Sequence, residues 1–155
     1  MPDARRFHPR ARRLLPIWQQ AQRAEQQALA AWGRLQQQQL QELQQQQQLE
    51  GYAGDYRQQL AAPGSAALSG ANVQNLLGFL SQVEQAANRQ AEQLAQLDDR
   101  IRRARDFYLG LKAKSDSLAR LMDKLDQEFH SQAAQAEQRQ ADEWSTRQAC
   151  QPVRR

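Results

Sequence analysis

Cysteine, histidine, proline and aromatic residues are all scarce in this chain, and each shortage excludes something. The single cysteine, Cys150 in the tail, can form no intramolecular disulfide, which suits a reducing compartment. The two histidines, His8 and His130, have no cysteine, histidine or carboxylate neighbours at metal-ligand spacing, and the loop glycines fit no phosphate-cradling pattern. No run approaches the roughly 18 apolar residues of a membrane span. The opening MPDARRFHPRARR leads into no signal-peptide hydrophobic region, so the protein is expected to remain in the cytoplasm. Serine, histidine and acidic side chains are scattered along faces where no water-excluding pocket can shift a pKa. The expectation is a protein without catalytic residues, metal or cofactor.

What is abundant is glutamine, which fills 30 of 155 positions, alongside alanine, leucine, arginine and glutamate. Such a composition belongs to long helices carrying a narrow apolar stripe. The glutamine runs at 36–39 and 44–48 could instead form a disordered or aggregation-prone tract. Leu40, Leu43 and Leu49 interrupt them at near-helical intervals and glutamine is a good helix former, so helix is the expectation.

After the stretch AAPGSAALSG, one column at seven-residue spacing runs Val73, Leu80, Ala87, Leu94, Ile101, Tyr108, Ser115, Met122, Phe129, Ala136. A second runs Leu76, Val83, Gln90, Leu97, Ala104, Leu111, Leu118, Leu125. Alternating steps of three and four are the signature of a coiled-coil seam. Before the stretch, the corresponding columns are Leu14, Ala21, Ala28, Leu35, Glu42, Leu49, Tyr56 and Ile17, Ala24, Ala31, Gln38, Gln45, Tyr52, Gln59. If the chain folds back on itself so that paired residue numbers sum to 132, Leu14 faces Leu118, Leu35 faces Leu97, Leu49 faces Val83 and Tyr56 faces Leu76. Small residues then often meet large ones, as close packing requires. The fold class expected is all-α: a long antiparallel two-helix coiled-coil hairpin whose second helix is the longer.

The chain divides into a basic N-terminal arm over 1–13, helix one over 14–61, a hairpin loop over 62–71, helix two over 72–148 and a flexible tail over 149–155. Pro16 fits a helix only in its first turn, which places the start of helix one near Arg13 to Leu15. Ser69 or Asn72 can cap helix two. Beyond Leu118, helix two has no partner in helix one, yet Leu121, Met122, Leu125 and Phe129 continue its stripe. An apolar stripe gains from burial only when it is covered. The cover is either the N-terminal arm, with Phe7 opposite Leu125, or another protein, which makes Met122, Leu125 and Phe129 candidate partner-binding residues.

The cluster Arg100, Arg102, Arg103, Arg105 raises nucleic-acid binding. Asp98, Asp99 and Asp106 lie four residues from these arginines and there is no interleaved aromatic platform, so a solvated face laced with ion pairs is expected and no nucleic-acid partner. The arm, with five arginines against one aspartate, suits an acidic membrane surface or an acidic protein, or is simply solubilising. Leu77 and Phe79, beside Tyr52 and Tyr56, lie partly outside the seam near the loop. They either broaden the seam or form a binding hot spot. Glu42 opposite Gln90, and Gln38 opposite Leu94, make polar layers that set register or leave the pair locally compliant.

The order YAGDYRQQL, a short linker, then NVQNLLGFLSQVEQAANRQAEQL and a long charged helix with ADEW resembles the FliJ family of flagellar type III export proteins, over about residues 14 to 147. The most specific elements are Tyr52 and Tyr56 before the linker and Phe79 and Val83 after it. The Arg-rich first 13 residues and the tail CQPVRR fit no pattern of the family. The resemblance implies a non-enzymatic stalk that couples the hexameric flagellar export ATPase to the membrane export gate protein and assists export chaperones. It implies a cytoplasmic protein, peripheral on the inner membrane through its partners. The paired helices near the termini would enter the ATPase ring, and Leu49, Tyr52, Tyr56, Phe79 and Val83 would face the gate. The alternatives are a stalk of a related type III secretion system and a structural coiled coil that self-associates near Met122, Leu125 and Phe129.

Overall fold

The computed structural model describes residues 8–62 and 69–152. Two helices account for nearly all of them: α1, Pro9–Ala61, and α2, Gly70–Ala149. No strand occurs among the described residues. The two helices pack as an antiparallel coiled-coil hairpin with the longer helix second, the fold class that the heptads imply. Both glutamine runs are helical.

The chain forms two compact units, one of Met1–Gln26 with Gly110–Arg155 and one of Gln27–Leu109. In each, a segment of α1 lies antiparallel to a segment of α2.

In the first unit, α1 begins at Pro9, earlier than the start near Arg13 that Pro16 implies. Local chemistry accounts for it. Pro9 occupies the first helical position, where its missing N–H costs nothing. His8 precedes it as a cap, its ring Nδ1 accepting the Arg10 N–H at 3.0 Å while its carbonyl accepts the Arg12 N–H. The His8 N–H is itself donated to Asp126 Oδ1 at 3.1 Å.

Pro16 therefore lies inside the helix, where it removes the bond to the Arg12 carbonyl at a cost of about 3 kcal/mol. The extra turns bury Ala11 against Met122 and Leu125, with Leu14, Leu15 and Trp18 packed around them. Met122 is wholly buried and Leu125 nearly so, and each such side chain contributes about 1.5 to 3 kcal/mol. Burial offsets the proline. The stripe of α2 beyond Leu118 thus has a partner in α1 after all. The pairing expected for Phe7 lies outside the described residues.

Within each unit the seam is the expected one on α2 and a different one on α1. Both columns of α2 are buried or half-buried from Val73 to Met122 and from Leu76 to Leu125, whereas Phe129 and Ala136 are exposed. On α1, the column Leu14, Ala21, Ala28, Leu35, Glu42, Leu49, Tyr56 is likewise turned inward. Most of the second column is not. Ile17, Gln38, Gln45, Tyr52 and Gln59 are exposed and only Ala24 and Ala31 are half-buried, while the inward positions are Ala11, Trp18, Glu25, Trp32, Gln39, Gln46, Ala53 and Leu60.

The two tryptophans explain the choice. Columns three and four residues on from the first lie to either side of it on the helix. Each side carries three polar residues, Glu25, Gln39 and Gln46 on one and Gln38, Gln45 and Gln59 on the other, so the difference is the apolar area of Trp18, Trp32 and Leu60. Trp32 stacks on Tyr108, with ring centroids 5.7 Å apart and planes inclined by 28°. Its indole Nε1 is buried without a hydrogen-bond partner, a cost that the ring packing outweighs.

The start of α2 is capped by Ser69, whose Oγ accepts the Asn72 N–H at 3.4 Å and whose carbonyl accepts the Val73 N–H. Its last turns close with Cys150 N–H to the Thr146 carbonyl, and Pro152 follows.

Candidate functional site

Near the loop, α1 carries Leu49, Tyr52 and Tyr56 on successive turns and α2 carries Leu77, Phe79 and Val83. Leu49 and Val83 are half-buried in the seam. Tyr56 reaches across to Phe79, with ring centroids 6.4 Å apart and planes inclined by only 15°. Tyr52, expected in the seam, stands outside it at 57% exposure, while Phe79 and Leu77 remain 53% and 50% exposed. Arg57 and Glu84 close one flank with a 2.7 Å ion pair.

The result is an exposed apolar and aromatic surface held by one interhelical stack. A large aromatic group left in water by the fold is the common chemistry of a protein-binding hot spot.

The other expected candidates fare differently. Met122 and Leu125 are buried beneath Ala11, so the chain's own α1 covers them; Met122 has no exposed surface and Leu125 keeps only a small part of its own. Phe129 stays partly exposed, its ring meeting that of His8 edge-on at 6.1 Å. From residue 127 to residue 149 every position of α2 is exposed, including Trp144. Reading the heptads alone missed the exposure of Ile17, because that reading had placed it in the seam. Beside Leu121, Ile17 lines a groove of about 250 Å³ with Arg10, Arg13, Leu14 and Leu125. The bulk of Trp18 and Trp32 was the signal that could have revealed it.

In the arginine cluster, Arg102 pairs with Asp98 at 2.6 Å, one helical turn away, as the spacing implied. Among the described residues no group of three metal-ligating side chains occurs, and no helix is long and apolar enough to cross a membrane.

The sequence model of the family described as "Flagellar FliJ protein" matches residues 10–154. Neither curated proteins nor solved structures gave a match to the chain. The matched span runs through both helices and includes the aromatic surface near the loop. The chain belongs to the FliJ family, the coiled-coil proteins associated with flagellar export.

Proposed function

We propose that this protein is a non-enzymatic coiled-coil stalk of the bacterial flagellar export apparatus. It couples the hexameric export ATPase to the membrane export gate and assists delivery of chaperoned substrates. It works on the cytoplasmic face of the inner membrane, where it is held through its partners. The observation that carries the reading is the surface of Tyr52, Tyr56 and Phe79, in which two aromatic rings stack across the helix pair while Tyr52 and Phe79 remain more than half exposed. Tyr52 and Phe79 stand outside the seam, and an exposed aromatic cluster suits a protein contact better than solvent. On this reading Leu49 and Val83 support the cluster from below, and the gate docks on it.

Coupling of this kind needs a body with differential contacts in more than one state of the ring, so that one subunit conformation is favoured over others. Long paired helices provide such contacts without any catalytic side chain.

Two measurements test the reading. The purified protein should stimulate the hydrolysis rate of a hexameric export ATPase. The triple variant Tyr52→Ala, Tyr56→Ala, Phe79→Ala should weaken binding to the cytoplasmic part of the gate protein while its circular dichroism stays helical. Unaltered gate binding by that variant removes the assignment of this surface, and an ATPase rate indifferent to the protein removes the stalk.

A further inference from the structure

The groove between Ile17 and Leu121 lies in the other unit, and the proposed function makes no use of it. Its floor is Leu14 and Leu125, its walls are Ile17 and Leu121, and its rim carries Arg10 and Arg13. Ile17 and Leu121 are 49% and 44% exposed, although the fold had seam positions within one residue of each. The space of about 250 Å³ suits one or two large apolar side chains.

The charged residues that line this groove are of one sign. Neither Arg10 nor Arg13 has an ion-pair partner among the described residues. Both lie in the opening turns of α1, which has no acidic residue in its first turn. A cation there opposes the positive end of the helix dipole and lowers helix stability. Arg10, placed against the helix dipole, and Arg13 one turn on lie beside half-exposed leucine and isoleucine and have no ion-pair contact among the described residues, which breaks a rule of helix design. Asp126 accepts the His8 N–H at this helix end, but it does not line the groove.

We propose that this groove is a docking site for an acidic amphipathic helix of another protein. The helix seats apolar side chains at three- and four-residue spacing between Ile17 and Leu121 and sets carboxylates against Arg10 and Arg13. Helix-in-groove recognition uses just such anchors, and complementary charge at the rim sets orientation and speeds encounter. Two other occupants fit less well. A second copy meeting this groove about a two-fold axis brings Arg10 and Arg13 against their own counterparts, since a two-fold interface pairs the same patch on both subunits. A membrane surface needs apolar side chains projecting from one helix face, whereas here they wall a recess between two helices.

The test uses the full chain and a labelled, designed 18-residue helical peptide with leucines at three- and four-residue spacing and glutamates on both flanks. A matched peptide carries lysine in place of every glutamate. Fluorescence anisotropy should show the glutamate peptide binding at least ten-fold tighter than the lysine peptide, and R10E/R13E should reverse that order. The variant Ile17→Ser, Leu121→Ser should lose at least ten-fold in affinity for the glutamate peptide with unchanged helix content, because both side chains are exposed. The triple aromatic variant near the loop should bind the glutamate peptide as the parent does, so that failure here is separable from failure of the stalk reading. Equal binding of the two peptides overturns the proposal, as does indifference to the serine substitutions. A concentration-dependent dimer that those substitutions dissociate assigns the groove to a second copy instead. Binding to vesicles containing one third phosphatidylglycerol, lost in R10E/R13E and accompanied by no peptide binding, assigns it to a membrane.

Discussion

Gln90 spans the helix pair to donate its side-chain amide to the main-chain carbonyl of Glu42 at 3.2 Å, and the same nitrogen lies 3.4 Å from the Glu42 carboxylate. Gln90 is among the few buried polar residues. The other carboxylate oxygen of Glu42 accepts from Gln38, one turn earlier, at 2.9 Å. A polar contact of this kind in an apolar seam favours the register that satisfies it over neighbouring registers, at some expense in stability.

Substitution at this layer should therefore separate stability from register. Gln90→Ala removes the bond and leaves a void, and should lower stability by about 1 to 2 kcal/mol in urea unfolding followed by circular dichroism. Gln90→Leu should be neutral or more stable than the parent by up to about 1 kcal/mol, because the Glu42 carbonyl sits within a helix and keeps its intrahelical bond. Loss of stability in both variants, to the same extent, would show that the hydrogen bond and not the volume of the glutamine carries its contribution.

The two faces of α1 should respond unequally to truncation. Trp32 is half-buried and stacked on Tyr108, so Trp32→Ala should cost about 2 to 4 kcal/mol. Ile17→Ala, half in solvent, should change stability by no more than about 0.5 to 1 kcal/mol. A thermal melt of each variant decides it, and the reverse order would return Ile17 to the seam.

Met122 and Ala11 meet in a core with little room. Met122→Ala should cost about 2 to 5 kcal/mol. Ala11→Leu, which adds volume where Ala11 has no exposed surface, should cost about 1 to 3 kcal/mol by overpacking. Equilibrium unfolding measures both, and if neither exceeds 0.5 kcal/mol, as is usual for a surface site, α1 does not cover this part of α2.

Pro16 gives the opposite sign. Pro16→Ala restores an N–H for the Arg12 carbonyl and removes a ring from the helix interior, and should stabilise the chain by about 1 to 3 kcal/mol. The midpoint of thermal unfolding should rise accordingly. A fall would mean that α1 begins after Pro16 and that the packing of Ala11 on Met122 does not form.

How far the heptads carry can be seen residue by residue. Leu94, Leu97 and Ile101 repeat at the coiled-coil interval in a helix without proline, so both columns of α2 and their inward face were legible from the sequence. So was the facing of Glu42 and Gln90, because a register that matches many layers places every other layer too. The aromatic surface near the loop was legible in part. Phe79 lies outside the columns, but the freedom of Tyr52 depends on which side of α1 turns inward. The groove at Ile17 and Leu121 was illegible for the same reason.

The sequence by itself determined two long helices, their antiparallel pairing, three of the four seam columns and membership of the family. These follow from local propensity and from a seven-residue period repeated many times, which no single contact can overturn. Tertiary structure alone decided the fourth column, the entry of α1 at Pro9 and the burial of Met122 and Leu125. Columns three and four residues from Leu14 flank it equally in sequence, and what separates them is the area that Trp18 and Trp32 bury against α2. The penalty of Pro16 is likewise read correctly from the local chain. What it cannot reveal is the packing of Ala11 on Met122, which exists only once the helices meet and is large enough to outweigh it.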